Sequence, residues 1–169
     1  GQTLHGGLLG VDRVVWDVVS ASDDKLVLHY LHPDGQDGFP GNLDIEMTYS
    51  LTPDNEFRID YKATTDKPTV VNMSNHPFFN LKGEGNGTVL DNVMTINASH
   101  TTPGQIAPVE GTPFDFREPH AIGERIGADN QQLRNGGGYD HNWVIDRKTE
   151  SGIEQAATVW EPASGRTIE

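Results

Sequence analysis

The fold is decided by the stretch from residue 43 to residue 63, which reads LDIEMTYSLTPDNEFRIDYKA. Apolar side chains recur at every second position on both sides of a short turn, in 43–51 and again in 57–63. A period of two places successive side chains on opposite faces of a strand, and Thr52-Pro53-Asp54-Asn55-Glu56 between them is rich in turn-forming residues. The sequence therefore predicts a long antiparallel hairpin with one apolar and one polar face.

The same alternation predicts an earlier hairpin around a turn at 20–25. Its arms are marked by Val14, Trp16 and Val18 before the turn, and by Leu26, Leu28 and Tyr30 after it. Further strands are predicted at 69–75, 93–98, 143–146 and 156–161, and Arg166-Thr167-Ile168-Glu169 has the pattern of a strand beginning. The one helix predicted, within 121–133, is short because two glycines interrupt it. We therefore expect an all-β, antiparallel β-sandwich in a single domain over residues 1–169.

The composition excludes several classes of function. The 169 residues include 12 Lys and Arg against 25 Asp and Glu, a formal net charge of −13. Nucleic acids and anionic membranes bind basic surfaces, so we expect neither as a partner. The absence of cysteine excludes thiol catalysis, disulfides and cysteine-ligated zinc, and no apolar run approaches the roughly 18 residues of a membrane span.

Two of the seven histidines lie in contexts that suggest chemistry. His5 precedes Gly6-Gly7, where glycines allow either a tight turn or close approach of backbone to a ligand. His76 follows a predicted strand and precedes Pro77, which favours extended backbone at the histidine. An imidazole at a strand end beside aromatic rings and two asparagines suits a general acid or base near neutral pH. The alternative for His76 is a half-buried side chain that satisfies a loop carbonyl.

A third group of residues lies at 136–143, which reads GGGYDHNW. Here a glycine run precedes the carboxylate of Asp140, an imidazole and two aromatic rings. Carboxylate and amide groups beside a flat ring are what a sugar needs, because hydroxyls take hydrogen bonds and the C–H face takes apolar contact. The alternative is a turn that leads to a core tryptophan.

Four collinear segments together resemble the aldose 1-epimerase (galactose mutarotase) family. They are LHGG at 4–7, DGQDGFPGNL at 34–43, NMSNHPFFNL at 72–81 and GYDH at 138–141. The resemblance implies a galactose mutarotase-like β-sandwich (supersandwich) that interconverts the α and β anomers of free galactose or glucose. It implies no cofactor and no metal, a small-molecule sugar as the partner, and a cytoplasmic setting; it leaves the oligomeric state open.

The resemblance also assigns roles to residues of this chain. His76 corresponds to the general acid that protonates the ring oxygen, and His5 to a substrate-binding imidazole. Asp140 corresponds to the carboxylate that holds sugar hydroxyls, and Pro77 and Phe78 line the pocket beside His76.

Two features of the family are missing from the chain. Its general-base glutamate lies in a glycine- and aromatic-rich segment beyond the last motif matched here, and the contexts of Glu154, Glu161 and Glu169 differ from it. An asparagine–arginine pair that precedes the His-Gly-Gly motif is absent as well. We therefore expect the chain to be a central fragment of a mutarotase, incomplete at both ends, which alone is inactive.

Two other functions fit the same sequence. One is a non-catalytic carbohydrate-binding module with the same sandwich, which would bind sugar independently of His76. The other is a hexose-6-phosphate mutarotase, which would need an arginine cluster at the rim of the cleft, with Arg117, Arg125 and Arg134 as candidates.

Overall fold

The computed structural model describes residues 4–169 and divides the chain into two compact units, residues 1–77 and 78–169. Every strand pair among the described residues is antiparallel. Helix is confined to a few short turns. The all-β antiparallel class predicted from the sequence is confirmed.

The first unit contains one four-stranded sheet in the order β1-β2-β3-β4. Its strands are β1 (Asp17–Ala21), β2 (Lys25–His32), β3 (Leu43–Leu51) and β4 (Phe57–Thr65). The pairing of β3 with β4 runs without a break from Leu43 opposite Thr65 to Leu51 opposite Phe57. The predicted hairpin and its turn are therefore confirmed, because alternation over nine residues fixes both strand and register.

The side chains of β3 separate by face, as the period of two requires. Ile45 and Met47, on one face, are buried, while Asp44, on the opposite face, is exposed. Exposed Leu51 and Phe57 lie at the turn end. The apolar face is thus most deeply buried in the middle of the sheet, where β3 pairs with a strand on either side.

The earlier hairpin is confirmed as β1 and β2, but its first arm is shorter than predicted. The strand begins at Asp17, so Val14 and Trp16 lie outside it. The indole N–H of Trp16 donates to the carbonyl oxygen of Val11 at 3.0 Å. This bond holds the preceding chain in a turn, and Trp16 therefore serves as an anchor rather than a ladder residue.

The predicted strand at 69–75 is wrong. Residues 68–80 form neither strand nor helix, and Val70 and Val71 are 72% and 47% exposed. The β-branched residues have strand propensity, but a strand also needs a partner with which to form a ladder. The motif around His76 therefore lies on an irregular segment.

The second unit contains two small sheets, in the orders β11-β10-β5-β8 and β7-β6-β9. The strands are β5 (Val93–Ile96), β6 (His100–Thr101), β7 (Ala107–Pro108), β8 (His120–Ala121), β9 (Trp143–Val144), β10 (Ala157–Trp160) and β11 (Thr167–Ile168). The predicted strands at 93–98, 143–146 and 156–161 are thus present in shorter form. The strand predicted to begin near residue 166 is β11.

The predicted helix is two helices, α1 (Ile122–Arg125) and α2 (Gln131–Gly136). The side chain of Asn130 accepts the N–H groups of Gln132 and Leu133 and begins α2 anew. Gly137, in the left-handed conformation with φ 65°, ends it. Leu133 of α2 joins Val109 and Phe114 in one core cluster, and a second cluster forms around Phe116.

Candidate functional site

His5 lies in a tight, exposed turn at the start of the described chain. Its backbone has a φ of 53°, which is uncommon for a residue other than glycine. The carboxylate of Asp37 accepts the N–H groups of Leu8 and Leu9 through Oδ1, at 2.8 and 3.1 Å. Gln36 adds a bond from its amide nitrogen to the carbonyl of Leu9. The sequence analysis assigned no role to the segment 34–43. Its hydrogen bonds to Leu8 and Leu9 show that it anchors the loop that contains His5.

The other end of the 34–43 segment is fastened to the end of β4. Asp34 pairs with Lys67, and its Oδ1 accepts the N–H of Gly41 at 2.6 Å. Asn42 donates its backbone N–H and its side-chain amide to the two oxygens of Asp66, both at 2.7 Å. These bonds lower the pKa values of both carboxyl groups: the Lys67 ammonium is the main cause at Asp34, and the Asn42 amide at Asp66.

His76 is exposed, as are its neighbours Pro77 and Phe78. The adjoining Asn75 donates from Nδ2 to the hydroxyl of Tyr49 at 2.9 Å. Tyr49 belongs to β3, so this bond ties the irregular segment to the sheet. The alternative of a half-buried histidine does not describe His76.

Asp140 lies in the second unit, just beyond α2, and is exposed. Gly136 packs closely on this segment, since a Cβ added to it would lie 3.3 Å from the Asp140 Cβ and 3.3 Å from the His141 ring. His141 packs edge-on against Phe114, with ring centroids 4.5 Å apart. The Trp143 indole donates to the Phe114 carbonyl at 3.0 Å. Packing thus holds the half-buried rings of His141 and Trp143 against the core of this unit.

The five residues that the sequence assigns to the site are divided between the two units. His5, His76 and Pro77 belong to the first, and Phe78 and Asp140 to the second. Their convergence on one sugar stays a prediction. Among residues 4–169, no group of three or more histidine or acidic side chains lies close enough to hold a metal ion. No helix within the same range is long and apolar enough to cross a membrane.

Two glutamates near the C-terminus have structural partners. Glu161 is fully buried, and its carboxylate accepts the N–H groups of Ala163 and Ser164 at 3.0 and 2.6 Å. Glu154 accepts the N–H groups of Lys148 and Thr149 at 2.9 and 2.7 Å. The bonds to Glu154 lower its pKa to about 2, and a hydrogen bond from the Ser164 side chain, together with the backbone bonds, lowers the pKa of Glu161 below its usual value. Both carboxylates are therefore weak bases that brace turns.

The three arginines considered for phosphate binding have partners within the second unit. Arg117 forms two bonds to the carboxylate of Asp115, at 2.9 and 2.7 Å, and Arg134 pairs with Asp129. Arg125 donates to the Asp115 carbonyl at 2.5 Å and stacks over the Phe116 ring. A sugar phosphate would have to displace these contacts, which weakens the hexose-6-phosphate hypothesis.

Sequence reasoning missed Asp37 and Tyr49 as residues that support the site. The signal for Tyr49 was present, since a tyrosine on the apolar face of a strand must find a partner for its hydroxyl. No pattern signals Asp37, because its bonds to Leu8 and Leu9 join segments 28 or more positions apart.

A family model named aldose 1-epimerase matches residues 1–169. The chain therefore belongs to the aldose 1-epimerase family, a family of isomerases. It is 35% identical to the galactose mutarotase of Sus scrofa, over 99% of this chain and 49% of that protein. It is 38% identical to the aldose 1-epimerase of Escherichia coli K12, over 93% of this chain and 47% of that protein.

Solved structures agree in fold. The galactose 1-epimerase of Lactobacillus acidophilus superimposes with a TM-score of 0.80 at 31% identity, over 94% of this chain and 48% of that one. A GalM/aldose epimerase homologue from C. elegans gives 0.77 at 27% identity, over 96% of this chain and 50% of that one. The chain spans about half the length of the curated relatives and solved structures that it matches.

Proposed function

We propose that the protein is an aldose 1-epimerase that interconverts the α and β anomers of free galactose or glucose. The observation that carries the proposal is the family match over residues 1–169, which includes an exposed imidazole at His76. Residues 1–169 then form part of one galactose mutarotase-like domain, and the protein works in the cytoplasm on small sugars.

The reaction requires two proton transfers and no change of oxidation state. A base removes the proton of the anomeric hydroxyl while an acid protonates the ring oxygen, and the C1–O5 bond breaks to give the open aldehyde. Rotation about C1–C2 presents the other face of the carbonyl to the O5 hydroxyl. The ring then closes with the proton roles reversed, so each group must act as both acid and base near the working pH.

His76 is the group that donates a proton to the ring oxygen and later recovers it. Its exposure on an irregular segment gives a sugar access to the imidazole. His5 holds the same region of the sugar by a hydrogen bond, and Asp140 accepts bonds from sugar hydroxyls. Pro77 and Phe78 supply apolar surface to the C–H face of the ring, and the Phe78 side chain is 91% exposed.

The base that removes the anomeric proton is neither Glu154 nor Glu161. Glu154 and Glu161 are poor candidates because backbone N–H groups stabilise their charged forms. A carboxylate that accepts hydrogen bonds from two backbone amides loses part of that stabilisation when it is protonated, so it is a weak base.

The test compares rate with binding in the protein together with any sequence that flanks residues 1–169. Polarimetry on fresh α-D-galactose and α-D-glucose should show accelerated mutarotation, which His76→Gln lowers by about 10² or more. Sugar-dependent thermal stabilisation should persist in that variant. His29→Gln, at a half-buried histidine of the first unit, is the control and should keep the rate.

Two results would overturn the proposal. Unaccelerated mutarotation by a folded protein that gains thermal stability from galactose would indicate the binding module instead. Equal loss of rate in His76→Gln and His29→Gln would remove His76 from its role.

A further inference from the structure

The segment that carries His76 depends on side chains for its position. Residues 68–80 contribute no strand to the sheets, so ladder hydrogen bonds do not fix them. A general acid has to lie within hydrogen-bond distance of the atom that it protonates. A displacement of about 1 Å can cost about 10² in rate. Contacts that hold this segment on the sheet therefore determine the position of His76 and, through it, the rate.

Asn75 provides such a tie to the first unit's sheet. Its Nδ2 donates to the Tyr49 hydroxyl at 2.9 Å across 26 positions of sequence. The Tyr49 ring is itself fixed by parallel stacking on Phe57, with centroids 5.7 Å apart and planes 6° apart. The bond therefore ends on a ring that its neighbour restrains.

Tyr61 lies next to this contact on the same face of the sheet. Its partner in the ladder is Met47, and that of Tyr49 is Ile59, so the two tyrosines are diagonal neighbours on β3 and β4. The Tyr61 hydroxyl is buried and lies near the Asn75 amide. Burial raises its pKa, and the nearby Asn75 amide acts in the opposite direction. Two phenol groups thus flank one amide.

The chain direction explains how this contact would reach His76. Pro77 keeps His76 out of the helical region, and in extended backbone successive side chains point to opposite sides. With the Asn75 side chain held on the sheet, the imidazole of His76 turns away from the sheet, in agreement with its exposure.

We propose that Tyr49, assisted by Tyr61, positions His76 for proton transfer by holding the side chain of Asn75 on the sheet. Tyr49 and Asn75 are positioning residues that do not touch the sugar. The inference rests on the proposed mutarotase function, because it assigns His76 the role of acid.

The first test is Tyr49→Phe, which removes only the hydroxyl. The kcat for mutarotation of galactose should fall about tenfold, with KM within about twofold, because His5 and Asp140 lie on other segments and still hold the sugar while the acid is misplaced. The matched control is Thr52→Val, which removes another hydroxyl on the same hairpin, the one that accepts the Glu56 N–H at 3.2 Å. A similar loss of thermal stability with unchanged kcat is expected for the control.

A double-mutant cycle with Asn75→Ala decides whether Tyr49 acts through Asn75. The single variants should lower kcat by similar factors, and Tyr49→Phe should add less than about twofold in the Asn75→Ala background. Multiplicative effects, or a Tyr49→Phe variant with wild-type kcat, would overturn the proposal. Asn75→Ala lies on an exposed segment and carries the same test if Tyr49→Phe does not fold.

A readout without activity separates this inference from the function on which it rests. The imidazole resonances of His76, assigned by comparison with His76→Gln, should shift in Tyr49→Phe and stay in place in Thr52→Val. Unshifted resonances would contradict the positioning role whatever the assay gives. Full activity in His76→Gln would contradict the function, while shifted resonances would still support the contact.

Discussion

Gly7 and Asp37 lie in such close contact that a Cβ on Gly7 would fall 2.4 Å from the Cβ, Cγ and Oδ1 atoms of Asp37. The two residues are 30 positions apart, and their contact brings together the His5 loop and the 34–43 loop. Glycine at position 7 is thus required by a neighbour as well as by its own φ of 105°.

Gly7→Ala should therefore destabilise the protein more than the same substitution at a glycine where no atom lies near the added Cβ. Gly35→Ala is the matched control, since its φ of 84° is also positive but nothing lies within 4 Å of the added Cβ. The backbone cost alone is about 1–2 kcal/mol in each. Chemical denaturation should show a larger loss of unfolding free energy for Gly7→Ala, together with a raised KM for sugar as His5 moves. Equal losses would contradict the contact.

Glu154 should contribute to acid stability. Hydrogen bonds from Lys148 and Thr149 depress its pKa from 4.5 to about 2. The contribution is present above pH 4.5 and is lost as the pH falls through 2, because the unfolded state takes up the proton first. Glu154→Gln should flatten the fall in unfolding free energy between pH 4.5 and 2. Glu150→Gln, in the same loop, should leave the slope unchanged. A change of slope in Glu150→Gln but not in Glu154→Gln would contradict the contribution of Glu154.

His29 should respond to pH in the opposite sense. A hydrogen bond to Asp44, with Nε2 and Oδ2 3.0 Å apart, raises its pKa above 6.5, and Asp17 and Glu46 add to the shift. The stabilisation is complete below pH 6.5 and is lost as the pH rises through the raised value. In an NMR titration, Asp44→Asn should lower the His29 midpoint more than Glu46→Gln does. A midpoint that Asp44→Asn leaves unchanged would show that the pair does not form.

Phe116 should be among the core positions most sensitive to truncation. It is 1% exposed and packs against Ile96 and Ala98. Phe116→Ala should cost about 3–5 kcal/mol of unfolding free energy, through lost burial and the cavity left behind. Ile153→Ala, at a side chain that is 100% exposed, should stay within about 0.5 kcal/mol. A cost for Phe116→Ala below 1 kcal/mol would contradict the core assignment.

The sequence predicted the parts of the fold that depend on local alternation. The hairpin of β3 and β4 was predicted with its turn because nine-residue strands carry a clear period of two. The segment 69–75 was misassigned because the same β-branched residues lack a ladder partner. No local pattern reports whether a partner strand exists.

The candidate site was predictable as a set of residue types and not as an arrangement. Motifs identified His5, His76 and Asp140, since the chemistry of proton transfer and sugar binding restricts which side chains suffice. The contacts of Asp37 and Tyr49 were not predictable, because they depend on which loops the fold brings to one sheet. Tyr49 could have been flagged as a hydroxyl on an apolar face, but its partner could not.

The proposed function assigns to His76 the transfer of a proton in sugar mutarotation. The most direct measurement is magnetisation exchange between the α and β anomeric protons of galactose at equilibrium, with the protein including any sequence that flanks residues 1–169. The exchange rate should rise in proportion to wild-type protein and fall to the protein-free value with His76→Gln, while galactose still stabilises the variant thermally. Equal exchange rates with wild type and His76→Gln would contradict the claim.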